Sequence, residues 1–284
     1  MVLGGLIESI IRSDSHNFRI FVKIQRSISL FPGFLRPLLH NLSHQVGSSG
    51  CEGTPAFLHI FFPSALTNPS TVRKIMPVEM EDIYRNIPPD RIPWNIETPP
   101  DALVKLVESR QVLPCRVVDF GCGAGNYAVW LATRGFDVTG IDISPSAIKL
   151  ARENAERQNV TCTFIVADVL GDLQEAAGPF DFGFDWELLH HIFPPDRPRY
   201  IDNVARLLHP GAKYLSVCFH EKDPQFGGSG KYRTTGIGTI LYFSSEEELR
   251  ELFSPLFRIL ELRAITVPGK WGDHVANYGF MERR

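Results

Sequence analysis

The sequence predicts an α/β fold around a mostly parallel sheet, and three observations carry that expectation. Short apolar runs alternate with helical patterns from about residue 99 onward, the order that winds a parallel sheet through right-handed crossovers. A glycine-rich stretch, Asp119-Phe-Gly-Cys-Gly-Ala-Gly-Asn126, overlaps the end of the first apolar run. Acids stand at three successive strand ends, Asp119, Asp142 and Asp168, on the sheet edge where such folds bind their ligands.

Each element follows from local pattern. Pro99 to Glu108 reads as a helix, entered through Pro-Pro-Asp, with Leu103, Leu106 and Val107 on one face. Arg116 to Phe120 is a short buried strand. Tyr127 to Arg134 is a helix closed by Gly135, and Asp137 to Ile141 is the second strand. Ser144 caps a helix that starts on Pro145 and runs to about Gln158, and Cys162 to Val166 is the third strand. Phe180 to Phe184, a helix over Arg199 to Leu207, and Lys213 to Phe219 after the Pro210-Gly211 turn continue the alternation. Ser244 to Phe253 carries a capping box, Ser244 or Ser245 with Glu247 or Glu248 three residues on. Phe257 to Ile265 and Val275 to Met281 supply two last strands.

At 284 residues and 44% hydrophobic content, the chain can bury the core of one domain of about 200 residues plus an extension. A net charge of −3 argues against a general nucleic-acid binder. Cys51, Cys115, Cys122, Cys162 and Cys218 form no CxxC pair and are odd in number, which fits a reducing, cytoplasmic setting. No apolar run approaches the roughly 18 residues of a membrane span; the nearest, Pro55 to Leu66, contains His59 and Pro63. Residues 1–75 differ from the rest. They hold seven basic residues against three acids, a net +4 that leaves −7 for the remainder, and residues 47–71 show no sustained period. Three readings stay open: a poorly ordered extension, a transit segment, or sequence upstream of a start at Met76 or Met80. Residues 76–284 are the expected folded domain.

The glycine stretch calls for a ligand that touches main chain at a strand mouth. It is not the dinucleotide fingerprint, which needs glycine where Asn126 stands. Asp142, 23 positions after Asp119, closes the next strand, where a carboxylate takes both hydroxyls of a ribose. Glu187 and His190 are three apart, but a second such pair is missing, so no metal site is expected.

In these residues the chain resembles the class I S-adenosylmethionine-dependent methyltransferases. "VVDFGCGAGNYAVWLATRGFDVTGIDIS" is similar to their first two motifs and "FIVADV" to the third, over roughly Pro93 to the C terminus. The resemblance implies a seven-stranded Rossmann-like sheet whose last strand is antiparallel, with S-adenosyl-L-methionine as cofactor. It further implies that Gly121, Cys122 and Gly123 approach the methionine part, Asp119 supports that loop, and Asp142 holds the ribose. Ile143 would line the adenine, and Asp168 with Val169 its amino edge. Loop N–H groups suit the cofactor's carboxylate; Asp185 either serves its ammonium or is a plain strand-terminal acid.

"PWNIETP", residues 93–99, and "FDWELLHH", residues 184–191, resemble the thiopurine and thiol methyltransferase-like branch, as do "CFHEKD" and "YFSSEEELRELFSPLFRI"; Trp186 stands where that branch often has Arg. Trp94 is expected either over the sulfonium or as a plug for the N-terminal helix. The acceptor is a small molecule, a thiol or related soft nucleophile, with hydroxyl or amine acceptors and a non-catalytic cofactor binder as alternatives. A thiol needs no dedicated base, whereas a hydroxyl would need His190 or Asp185. Five glycines between Phe226 and Gly238 suggest a mobile lid that brings Tyr232 and Arg233 to the acceptor, or else a solvated excursion.

Overall fold

The computed structural model describes residues 79–227 and 229–284. The expected N-terminal extension, residues 1–75, lies outside the described residues.

Nine strands and six α-helices follow one another among the described residues. They are α1 (Met80–Asn86), α2 (Asp101–Glu108), β1 (Arg116–Phe120), α3 (Asn126–Ala132), β2 (Asp137–Asp142), α4 (Pro145–Arg157), β3 (Thr163–Val166) and β4 (Phe180–Trp186). Then come α5 (Arg197–Leu207), β5 (Leu208–Phe219), β6 (Tyr232–Thr234), β7 (Ile240–Tyr242), α6 (Glu246–Phe253), β8 (Phe257–Val267) and β9 (His274–Arg283). Seven strands form one sheet in the order β3-β2-β1-β4-β5-β9-β8, parallel from β3 to β5, with β9 antiparallel to both its neighbours.

Alternation along β1 explains the two-sided core. Val117 packs with α2, α3 and α4 through Leu106, Val129 and Ile148, while Val118 and Phe120 face α5 and α6 through Tyr200, Val204 and Phe253. Successive side chains of a strand point to opposite faces, so a run that is apolar at nearly every position belongs between two helical layers. Helix entrances follow their capping residues: Ser144 Oγ accepts the Ala147 N–H at 3.0 Å, and Ser245 with Glu248 closes a reciprocal capping box.

Strand order reverses between β1 and β4, so the loops leaving their carboxyl ends diverge and open a crevice. The glycine loop and residues 187–193 form its two sides. Helix α1, which the sequence pattern did not single out, is fastened beside it. Glu81 accepts the Ser144 and Ser146 hydroxyls at 2.7 and 2.8 Å and the Ser146 N–H at 3.0 Å, and these bonds, the main-chain one first, hold its carboxyl down at about 2.

The glycine-dense connection holds regular structure among its described residues. It contains the β6–β7 hairpin, and Arg233, expected to meet the acceptor, is 4% exposed. Its guanidinium donates to the carbonyls of Glu221, Asp223, Gln225 and Gly230 and lies 4.0 Å over the Phe243 ring. A guanidinium has five N–H donors and no acceptor, so four carbonyls from one loop satisfy it and tie that loop together. Tyr232 is half exposed and packs on Phe193 and Tyr242.

Candidate functional site

The crevice holds a cavity of about 330 Å³. Its floor is the glycine loop, and two positions there require glycine. Gly121 has φ +71° and a Cβ on it would stand 2.8 Å from Leu188; Gly123 has φ +53° and a Cβ would stand 2.5 Å from the Tyr84 hydroxyl. The loop's N–H groups are largely committed within the chain. Gly121 and Cys122 donate to the Ile141 carbonyl at 2.8 and 3.0 Å, Gly123 to Asp142 Oδ2 at 2.8 Å, and Gly125 to the Cys122 carbonyl at 2.8 Å. They shape the floor, so the expected capture of the cofactor's carboxylate by these N–H groups does not follow from the geometry. Asn126, at the position where a dinucleotide site has glycine, ties two walls: its Nδ2 donates to Asn95 Oδ1 and the Ile96 carbonyl, and its Oδ1 accepts from Asn154.

Trp94, Asp119, Gly121, Cys122, Gly123, Asp142, Ile143, Asp168 and Val169 all line this cavity. Asp142 is 8% exposed and each oxygen accepts one main-chain N–H, from Ser144 at 2.9 Å and Gly123 at 2.8 Å. That fixes its plane and leaves further lone pairs for a ligand. Burial raises its pKa, and the two N–H groups oppose the rise. Ile143 is 53% exposed beside it, an apolar shelf at the rim. Asp168, exposed at the opposite rim, accepts the Leu170 N–H at 2.9 Å.

Asp119 departs from the loop-supporting role. It takes no bond from the glycine loop, and burial, then the neighbouring carboxylates of Asp142 and Asp185, push its pKa well above the usual range. Asp185 is the one expected site residue that the structure sets apart. It is fully buried off the cavity wall, and hydroxyls of Tyr200, Tyr214 and Ser216 donate to its two oxygens. Burial lifts it to about 6 although all three hydroxyls pull it down. This is the arrangement of a strand-terminal acid whose oxygens are taken up by hydroxyls of the chain.

Trp94 packs on the N-terminal helix and also faces the cavity. Its Nε1 donates to the Tyr84 hydroxyl of α1 at 2.9 Å, and its ring lines the cavity with an edge contact to His191. Behind it lies a second cavity, also about 330 Å³, walled by Phe219, Phe226, Ile237, Leu241, Trp271 and His274. Trp94, Ile96, Glu187 and His191 line both cavities and form the junction. His190 is 2% exposed, stacked on Phe219, and its Nδ1 accepts the Phe219 N–H at 3.4 Å, which leaves it poorly placed as a base for the first cavity. His274 Nδ1 lies 3.0 Å from Asp223 Oδ2. Sequence pattern gave no sign of His274, and it raised Glu187 only as half of a metal pair that it set aside; the structural signal for Glu187 is conformational, a non-glycine φ of +64°.

The charge of the first cavity decides what fits. Asp119, Asp142, Asp168, Glu187 and Asp196 line it, and among the described residues no lysine or arginine does. A cationic ligand relieves crowded carboxylates, and a sulfonium with an ammonium and a ribose matches the donor set. Comparison with known proteins agrees. The family described as "Methyltransferase domain" matches residues 117–211. The 2-heptyl-1-hydroxyquinolin-4(1H)-one methyltransferase of Mycobacteroides abscessus is 31% identical over 186 residues, 63% of this chain and 76% of the relative. A solved structure concerned with the conversion of a disulfide bond into a thioacetal group during echinomycin biosynthesis superposes with a TM-score of 0.61 at 27% identity, covering 72% of this chain and 90% of that one. The magnesium protoporphyrin IX methyltransferase of Synechocystis PCC 6803, solved with bound S-adenosylmethionine, shares the fold at a TM-score of 0.51 and 20% identity, over 65% of this chain and 81% of that one. Sheet order, glycine floor, acid-lined crevice and relatives converge on one assignment: this chain belongs to the class I S-adenosylmethionine-dependent methyltransferases.

Proposed function

We propose that the first cavity holds S-adenosylmethionine and the second a small planar acceptor, with methyl transfer across the junction at Trp94 and Glu187. The observation that carries this reading is a contrast between the two cavities: five acids around one and an aromatic wall around its neighbour. In this reading Asp142 takes the ribose hydroxyls, Ile143 and Val169 enclose the adenine with Asp168 at its amino edge, and Gly121, Cys122 and Gly123 pass beneath the methionine part. Asp119, already in the cavity, takes the ammonium in place of Asp185.

The cofactor supplies an electrophilic methyl on a positive sulfur; the chain supplies position. Trp94 and His191 narrow the junction and exclude water, and an aromatic face there attracts a cation. Holding acceptor and methyl in line is worth several kcal/mol of barrier, about 7–11 kcal/mol in the best-oriented cases. The resemblance to thiol methyltransferases supports a thiol acceptor, and the hydroxyquinolone named for the relative of Mycobacteroides abscessus supports a hydroxylated aromatic one.

Incubation with methyl-labelled cofactor and panels of aromatic thiols, phenols and amines tests the reading. It predicts labelled product from an aromatic member; cofactor binding with no product from any panel would favour the non-catalytic alternative. Among the described residues no helix is long and apolar enough to cross a membrane. Cys115, Cys122, Cys162 and Cys218 are free thiols, which supports a reducing compartment such as the cytoplasm. We also take residues 76–284 as the functional domain: a chain starting at Met76 is expected to melt cooperatively and to keep the cofactor affinity of the full chain by calorimetry.

A further inference from the structure

We propose that Glu187 is the general base of the transfer and that the acceptor atom is therefore a hydroxyl oxygen on a planar aromatic compound. This rests on the reading that the two cavities hold cofactor and acceptor.

Place comes first. The reacting oxygen has to sit where the cavities meet, and the side chains that line both are Trp94, Ile96, Glu187 and His191. Two of these titrate. Burial holds His191 down at about 4, too weak a base to draw a phenolic proton at neutral pH, whereas burial raises Glu187 to about 7, the range that suits a base working there. The groups around Glu187 are His274 of β9, which lowers it, Asp223 of the loop after β5, which raises it, His190 and His191 of the following turn, and Tyr127 of α3. Lys270, in the wall of the second cavity, spends its ammonium on the carbonyls of Asp90 and Ile92.

Conformation is the second, independent observation. Glu187 has φ +64°, and its N–H donates to the Val217 carbonyl at 2.8 Å, one step beyond the last β4–β5 pair. A non-glycine residue in that region costs on the order of 1 kcal/mol or more and persists where the surroundings over-determine it. Glu187 carries this strain at the junction, and among the described residues nothing donates a hydrogen bond to its carboxylate. The bases suggested by sequence are otherwise engaged: Asp185 is sealed by three hydroxyls, and His190 is stacked on Phe219 and accepts its N–H.

The step balances simply. The acceptor O–H gives its proton to a Glu187 carboxylate oxygen as the oxygen's electron pair attacks the methyl carbon. The carbon–sulfur bond breaks with its pair going to sulfur, so the sulfonium becomes a neutral thioether and the acceptor a methyl ether. Glu187 later returns the proton to solvent. A thiol, with an unperturbed pKa near 8.5, reaches its reactive form with little help, so a base held at the junction matters for oxygen far more than for sulfur.

The test uses a matched pair of probes, 1-naphthol and naphthalene-1-thiol, with calorimetry of S-adenosylmethionine on the same proteins. For the wild type, kcat/KM on 1-naphthol is expected to fall as pH drops through about 7, because the base must be ionised. Glu187→Gln is expected to lose about 100-fold or more on 1-naphthol, to lose the acid limb, and to fall only a few-fold on the thiol. Glu187→Asn, which tolerates positive φ, should lose as much on 1-naphthol, and the retained thiol turnover reports an intact fold. Wild-type 1-naphthol turnover in either variant, an unchanged acid limb, or wild-type turnover of the thiol alone would overturn the inference while cofactor binding left the parent reading standing. Absence of cofactor binding by the wild type would instead remove the parent reading.

Discussion

The two cavities that meet at Trp94 and Glu187 are of similar size and opposite construction. The first has the loops that leave β1, β2 and β3 as its ligand-facing floor and rim, closed by α1, residues 94–96 and the segment after β4, and its key acid is pinned by main chain: Asp142 is fixed by the N–H groups of Gly123 and Ser144. The second draws its wall from segments far apart in the chain. Phe226 stacks on His274 and lies tilted against Phe219, and Asp223 bridges the loop after β5 to β9 through His274 and the Val275 N–H. A cofactor common to a family can be met by short, contiguous motifs; an acceptor peculiar to one enzyme is met by whatever the variable loops bring together.

The sharpest way to break this division is Asp142→Ala. Losing a bidentate, charge-assisted contact to the ribose is expected to weaken S-adenosylmethionine binding by about 100-fold, some 2–3 kcal/mol, read by calorimetry. Stability should fall as well, by about 1–3 kcal/mol, because the Gly123 and Ser144 N–H groups lose their acceptor, so affinity is compared where both proteins are folded. Unchanged affinity would take the ribose away from Asp142.

Asp185→Ala should cost stability without touching affinity. It strips the acceptor from buried Tyr200 and Tyr214 hydroxyls, and unsatisfied buried groups cost about 1–3 kcal/mol of stability. Cofactor affinity should hold, since Asp185 does not line the cavity. In the wild type its folded-state pKa, about 6, lies above the ordinary 3.8, so the native state binds that proton more tightly and stability grows as pH falls from about 6 toward 4. Other buried groups titrate in the same window, so the test is a difference: the change in stability from pH 7 to pH 5, read from denaturant melts, should be more favourable in the wild type than in Asp185→Ala.

The smallest of these effects is expected on the acceptor side. Phe226→Ala removes an aromatic wall of the second cavity and should raise the KM of an aromatic acceptor about tenfold, roughly 1.4 kcal/mol, with cofactor affinity unchanged. Equal loss of both affinities would show that the cavities do not work separately.

The same contrast explains what could be read from sequence. Strand β1, the Ser144 cap, the Ser245 box and the Asp119, Asp142 and Asp168 edge each depend on a few adjacent residues, and local pattern marks them. Helix α1 is held by Glu81 reaching across 63 positions to Ser144, and the β6–β7 hairpin is bound up by Arg233, whose charge suggested a ligand contact while its geometry made it a loop staple. Glu187 lies within "FDWELLHH", but nothing in that segment marks it as a base: its place depends on a backbone angle and on two cavities that exist only after folding. Asp119 and Asp185 are alike in sequence, acids of neighbouring strands; only Tyr200 and Tyr214, delivered by α5 and β5, set one apart from the cavity.

A crystal structure of the protein with S-adenosylhomocysteine and 1-naphthol tests the division of labour most directly. The account predicts the ribose hydroxyls on Asp142 in the acid-lined cavity and the naphthol ring among Phe219, Phe226 and Trp271, its oxygen turned to Glu187. A nucleoside bound away from Asp142, or an acceptor lodged outside the aromatic cavity, would contradict it.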